Sequence, residues 1–168
     1  TGIKVFDNYD LNEIYQYIAW QPFFIAWEMH GKFPQILSDE TIGTAATKLF
    51  KDAQALLKKI INEKWLTAKG VIGFWETNKL ADDTIEVKNT DGEIFNLEFL
   101  RQQIKKAPGQ PNLSLADFIK PGKGDHSGAF AVSIHGLDPY VAKFNKEFDD
   151  YNKIKLQALA DRLAESFA

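Results

Sequence analysis

The 168-residue chain contains no cysteine. Disulfides, thiolate zinc sites and cysteine nucleophiles are therefore excluded. A chain without thiols is compatible with a reducing compartment, and the expected location is the cytoplasm. No run of Lys and Arg forms a basic arm. With 20 basic against 23 acidic residues the net charge is −3, which argues against the broad electrostatic footprint that nucleic acid requires. Long apolar runs are missing too. The aromatic stretch "YIAWQPFFIAW" at 17–27 is closed by Glu28 and Gly31, well short of the about 20 apolar residues that cross a bilayer. No membrane partner is expected. The opening "TGIKVFDNYD" lacks the charged and apolar regions of a signal peptide, and no repeat or low-complexity segment stands out.

What is present points to a globular core. Within the aromatic stretch, Trp20, Phe23, Phe24 and Trp27 follow the i, i+3, i+4, i+7 pattern of one helix face. Asp10 followed by Glu13 is a capping-box-like start for a short helix. Pro22 suits the first turn of a second, and Gly31 suits its C-terminal cap. Ser38 or Asp39 opens a long helix, expected over about 39–65. In it Ile42, Ala46, Leu49, Ala53, Leu56 and Ile60 form a packing stripe, with Lys48, Lys51, Lys58 and Lys59 on the wet side.

After Gly70 the texture changes. "VIGFWE", "TIEVKN" and "EIFNLEFL" read as strands, with a hairpin around Asp91-Gly92. "KKAPGQPN" and "KPGKGDHSG" read as loops, "LADFI" as a helical turn and "AFAVSI" as a further strand. "LDPYVAKF" starts a helix with Asp138 at the N-cap, and a last helix runs from about Asp150 to the end. Helices, then strands, then helices predict an α+β fold with an antiparallel sheet and flanking helices. The chain is expected to form a single domain. It begins at Thr1 without Met and stops at "ADRLAESFA" inside a helical pattern, so that domain is expected to be incomplete at its C-terminal side.

Candidate chemistry is sparse. His30, His126 and His135 show no metal-ligand spacing, and each reads as a surface or loop histidine. "KPGKGDHSG" has three glycines but matches neither dinucleotide nor P-loop fingerprints. The pairs Asp82-Asp83 and Asp149-Asp150 read as turn or helix-start carboxylates. Asp161 and Glu165 lie at i and i+4 on the last helix, so their side chains share one face, beside Arg162. That face reads as exposed and acidic, or as a polar patch awaiting a partner's donors. No catalytic acid or base is identified.

Six stretches in order, "VFDNYDLNEIYQYIAWQPFF", "GVIGFW", "LRQQ", "LADF", "GAFAV" and "DDYNKIKLQALADRLAE", resemble the reactivation domain of cobalamin-dependent methionine synthase. The resemblance covers nearly the whole chain. It implies an activation-domain-like α+β fold built on an antiparallel sheet. It also implies a role in a 5-methyltetrahydrofolate–homocysteine methyltransferase of methionine biosynthesis. Such a domain binds S-adenosylmethionine and presents its methyl group to the cobalt of cob(II)alamin, with one electron from a reduced flavodoxin-like protein. The implied partners are that donor and the cobalamin-binding domain of the same enzyme.

Two departures accompany the resemblance. The family's acidic residue just before "W-x-P-F-F", which helps hold S-adenosylmethionine, is here Ala19, and a methyl group accepts no hydrogen bond. The family's R-x-x-x-G-Y segment lies downstream of the last helix and does not occur by Ala168. The chain alone is therefore expected to hold no cofactor tightly, with Trp20 and Phe23 bracing one edge of the groove. Asp161 and Glu165 match acidic positions that face the cobalamin-binding domain. Arg101, Gln102 and Gln103 match the family's "RQQ", with hydrogen bonding inside the fold as the only expected role. Three functions follow in descending order. The first is a docking and scaffolding portion of methionine synthase. The second is a free-standing interaction module of the same fold that no longer binds S-adenosylmethionine. The last is a small-ligand enzyme using the glycine loop and His126.

Overall fold

The computed structural model describes residues 1–122 and 124–168. Lys123, inside the expected loop "KPGKGDHSG", lies outside the described residues. The elements, in chain order, are β1 (Gly2–Tyr9), α1 (Leu11–Ile14), α2 (Trp20–Ala26), α3 (Gly43–Asn62), β2 (Thr67–Lys79), β3 (Thr84–Lys88), β4 (Ile94–Glu98), β5 (Asp125–His135), α4 (Asp138–Lys146) and α5 (Asp150–Phe167). The strands form one sheet in the order β1-β2-β3-β4, with β5 also paired to β2. The α+β expectation holds, and the β2–β3 and β3–β4 pairings are antiparallel. The chain divides into two compact units: 1–5 with 71–130, and 6–70 with 131–168.

The larger unit is helical and carries the main core. The α3 stripe is buried as its spacing predicts, with Ala46, Leu49, Ala53, Leu56 and Ile60 all inside. Fully burying each large aliphatic side chain contributes roughly 1.5–3 kcal/mol. The helix begins later than expected because Asp39 first organises a turn. Its carboxylate accepts from the backbone of Thr41 and Ile42 at 2.9 and 3.0 Å, a local bond that competes with helix. These bonds hold the Asp39 carboxyl below its usual range, the bond from Ile42 foremost. In α5, Leu156, Leu159 and Leu163 occupy i, i+3 and i+7 and are fully buried. Asp149 caps that helix by accepting from Asn152 N–H at 3.0 Å.

Two helix ends differ from the sequence reading. The turn beyond α2 is made by Glu28, at φ 56°, rather than by Gly31. In α4, Leu137 is the N-cap and Asp138 the first helical residue.

The smaller unit has its own core of Ile85, Val87 and Ala116, with Trp75, Phe99 and Ile119 packed against it. Ile85 and Val87 alternate with Glu86 and Lys88 along β3, so one sheet face is buried and the other wet. The β3–β4 hairpin pairs Val87 with Phe95 and Lys88 with Ile94. Its turn is tied by Asn89, whose side-chain oxygen accepts from Asp91 and Glu93 N–H at 3.0 and 2.8 Å. Gly92 sits at φ 87°, where a side chain would be strained. β4 ends the strand order and all five of its residues are exposed. β5 begins at Asp125, so the loop expected over 120–128 is shorter than its glycines suggested.

Candidate ligand-binding and docking residues

Ala19 is the N-cap of α2, with extended backbone (φ −76°, ψ 106°) and no side-chain hydrogen bond to the first turn. N-caps favour Ser, Thr, Asp and Asn because their oxygens satisfy orphan backbone donors. Ala19 offers those donors no side-chain acceptor. Trp20, the next residue, is half-buried, and its ring meets Phe23 edge-on at 5.5 Å and Phe50 at 4.7 Å. Phe23 is 0% exposed and belongs to the core. It therefore supports Trp20 from below, and only Trp20 reaches the adjoining cavity.

That cavity has a volume of about 280 Å³ and is lined by Trp20, Tyr15, Asn12, Gln16, Gln54 and Lys58, among others. Gln16 is already committed, donating to the Asn12 carbonyl at 2.8 Å. Pockets that bury a drug-sized ligand run from roughly 300 to 1,000 Å³. The cavity lies just below that range.

Asp161 and Glu165 both lie on the exposed side of α5. Glu165, 58% exposed, forms an ion pair with Arg162 one turn earlier. The acidic face is thus partly neutralised within its own helix, and a partner's donors would compete with Arg162.

A polar cluster that the sequence did not reveal joins α5 to α3. Tyr151 donates to Asp52 at 2.8 Å, and its ring meets Trp27 at 5.2 Å. Lys155 is 4% exposed and lies 4.3 Å from the Tyr151 ring centre. Burial pulls the Lys155 ammonium down from its usual value, against the pull of Asp52 and Asp149. Burial and the bond to Asp52 push the Tyr151 phenol up to about 12. Asp52 and Tyr151 are 99 positions apart, so no local pattern could have paired them.

In the smaller unit Arg101 acquires a definite role. Its guanidinium holds both oxygens of Asp117 at 2.7 and 3.0 Å, the Asp82 carbonyl at 2.8 Å and the Asn112 carbonyl at 2.7 Å. Asp83 lies 2.7 Å away. Asp117 also accepts from Lys79 at 3.1 Å and from Ser114 N–H at 2.9 Å, closing a capping box on 115–118. The Arg101 fork, then the Ser114 amide and Lys79, hold the Asp117 carboxyl far below the carboxylate range. Gln102 accepts from Leu113 N–H at 3.1 Å, and Gln103 donates to the Arg101 carbonyl at 2.9 Å. "RQQ" is thus a staple between the segment after β4 and the turn at 115–118.

The histidines remain apart. His135 pairs with Ser133 at 2.7 Å, while His30 and His126 are exposed. Among the described residues no group of three His, Cys, Asp or Glu is placed to hold a metal. In the same described set no helix is long and apolar enough to cross a membrane.

Residues 10–168 match the family described as the vitamin B12 dependent methionine synthase activation domain. The chain belongs to that family. A solved structure titled "Crystal Structure of the MetH Reactivation Domain bound to AdoHcy" is 42% identical, with a TM-score of 0.88 over 99% of this chain. This chain spans 52% of that one. The fold described above is therefore the activation-domain fold. Ala19 sits at a helix start of that fold, where the resemblance expects an acidic side chain.

Proposed function

We propose that the chain acts as docking and scaffolding portion of a B12-dependent methionine synthase, supporting reductive methylation of cob(II)alamin while holding S-adenosylmethionine only weakly. One observation carries this reading. In a chain that matches the activation domain over 10–168, the N-cap of α2 is Ala19, with no side-chain acceptor. Loss of one charge-assisted hydrogen bond costs about 1.5–3 kcal/mol. The related reactivation domain is titled as bound to AdoHcy, so the ligand class fits the family while the Ala19 position does not supply its acidic contact.

Cobalamin, held by a cobalamin-binding domain, supplies the methyl-accepting metal chemistry, and this chain's residues orient and dock. Asp161 and Glu165 on α5 offer carboxylates to that domain, with Arg162 as the intrahelical competitor. The electron donor is a reduced flavodoxin-like protein, and the setting is the cytoplasm. Ala19 equally fits a free-standing interaction module of the same fold. An R-x-x-x-G-Y segment encoded beyond Ala168 would favour the enzyme, and a stop codon there would favour the module.

Calorimetry tests the weakened hold. The unmodified chain should bind S-adenosylmethionine weakly, and Ala19→Asp should tighten it by about tenfold to a hundredfold. Micromolar binding by the unmodified chain would overturn the reading. Docking is tested separately. Asp161→Asn combined with Glu165→Gln should weaken association with the cobalamin-binding domain several-fold, more so at low salt.

A further inference from the structure

At the outer edge of β4, register fixes which backbone groups have no partner. Phe99 N–H donates to the Asp83 carbonyl at 2.8 Å, and Asn89 N–H to the Glu93 carbonyl at 2.9 Å. The backbone at Glu93 and Phe99 therefore turns toward β3. Hydrogen-bonding direction alternates along an antiparallel strand, so Phe95 and Leu97 turn the same way. The N–H and C=O groups of Ile94, Asn96 and Glu98 then point outward, away from β3. Side chains alternate in step. Phe95 and Leu97 lie opposite Val87 and Ile85, on the face that carries the small core. Val87 and Ile85 are buried, whereas Phe95 and Leu97 are about half-exposed. The core face thus runs on to the sheet edge without cover.

Edges that stay single commonly carry Lys or Pro. β4 has no Lys, Arg or Pro, and Glu98 is its one charge. Its sequence, Ile-Phe-Asn-Leu-Glu, instead complements itself. In an antiparallel pair centred on Asn96, that residue meets Asn96 of a second copy, Phe95 meets Leu97, and Ile94 meets Glu98. The Asn96 pair and the Ile94–Glu98 pairs are the ones with outward backbone groups, so donors and acceptors match. Phe95 and Leu97 of the two strands form one apolar strip that continues the face of Val87 and Ile85. Charges agree as well. On the opposite face one row runs Glu76, Lys88 and Ile94, then Glu98 of the second copy, so no like charges are neighbours. Centring the pair on Glu98 would set two carboxylates face to face, which is destabilising.

We propose that two copies of the chain associate through β4, in a two-fold antiparallel pairing centred on Asn96 that joins their sheets. Five residues a side make an interface below the roughly 1,200 Å² of stable complexes. The dimer is therefore weak, filling at roughly 0.1–1 mM chain. β4 shares no residue with α2, α5 or the cavity beside Trp20, so the pairing stands or falls independently of the proposed function.

Sedimentation equilibrium of the unmodified chain, up to about 1 mM, should show a monomer–dimer equilibrium. Because the chain has no cysteine, single substitutions then read the register. Asn96→Cys should cross-link to itself under mild oxidation. Directly opposed, hydrogen-bonded residues stand about 5.5 Å apart, and disulfides span Cα separations of roughly 4.4–6.8 Å. Glu86→Cys, one strand further in on each copy, would stand about 14 Å from its mate and should link at least about tenfold more slowly. Asn96→Pro removes an outward donor that β3 does not use. It should weaken the dimer about tenfold or more while leaving the far-ultraviolet circular dichroism unchanged. A chain that stays monomeric at about 1 mM would leave the edge to a strand from a different protein and overturn the proposal. Linking of Glu86→Cys as fast as Asn96→Cys would overturn it too, as would an undiminished dimer of a folded Asn96→Pro. The two cysteine variants decide the register whatever proline does to the strand.

Discussion

At position 19 one methyl group affects both stability and ligand affinity, and the two can be separated. A carboxylate at the α2 N-cap would satisfy an orphan N–H and face the positive end of the helix. Ala19→Asp should therefore raise unfolding free energy by about 1 kcal/mol, read by urea denaturation without ligand. Ala19→Asn should stabilise similarly while recovering less S-adenosylmethionine affinity, because it caps without charge. Arg101 gives the other residue-scale prediction. Lysine cannot reproduce a bidentate fork, so Arg101→Lys should lower the melting temperature and loosen the 115–118 turn. The Asp117 carboxyl is held low in the folded chain, so its stabilising contribution is complete above the unfolded value of about 3.9. It drains away as pH falls below that value. Melting followed from pH 5 downward should show a shallower acid slope for Asp117→Asn than for the unmodified chain. Nothing in the sequence around Arg101 showed this. Its partners at 82, 83, 112 and 117 come together only through the fold, which is why hydrogen bonding inside the fold, without named partners, was all that could be expected of "RQQ".

Elements were more legible than residues, and where they misled, the cause is local. The α3 stripe is a period of packing, and periods survive in sequence. Its start did not, since Asp39 diverts the backbone into a turn first. Ile60 is fully buried at the end of that stripe, so Ile60→Ala should cost about 2–5 kcal/mol, measured by denaturant unfolding. The β5 boundary failed for a different reason. Glycine in "KPGKGDHSG" signals a loop, yet Gly128 lies inside β5, with the Phe74 ring against it. A Cβ there would stand 2.7 Å from the Phe74 ring. Glycine inside a strand often marks such a close approach. Phe74 is 49% exposed and its ring can turn aside, so Gly128→Val should change the stability of the smaller unit by less than about 1 kcal/mol. Chemical denaturation followed by tryptophan emission, with Trp75 in that unit, would read it.

For the whole molecule, the class and the family could be read from residues because both depend on order: helices, strands, helices, and six stretches in the family sequence. What brings distant positions together could not be read. Phe167 joins Phe6 and Tyr9, and Tyr151 joins Asp52, through packing that sequence spacing does not encode. The outermost strand, β4, has a further consequence. It borders β3 on one side, and among the described residues no strand follows it in the sheet order. Its outward peptide groups therefore have no strand partner. In heavy water, its outward amides should take up deuterium well before those of β3. A partner that adds a strand would be recognised first by the slowing of that exchange.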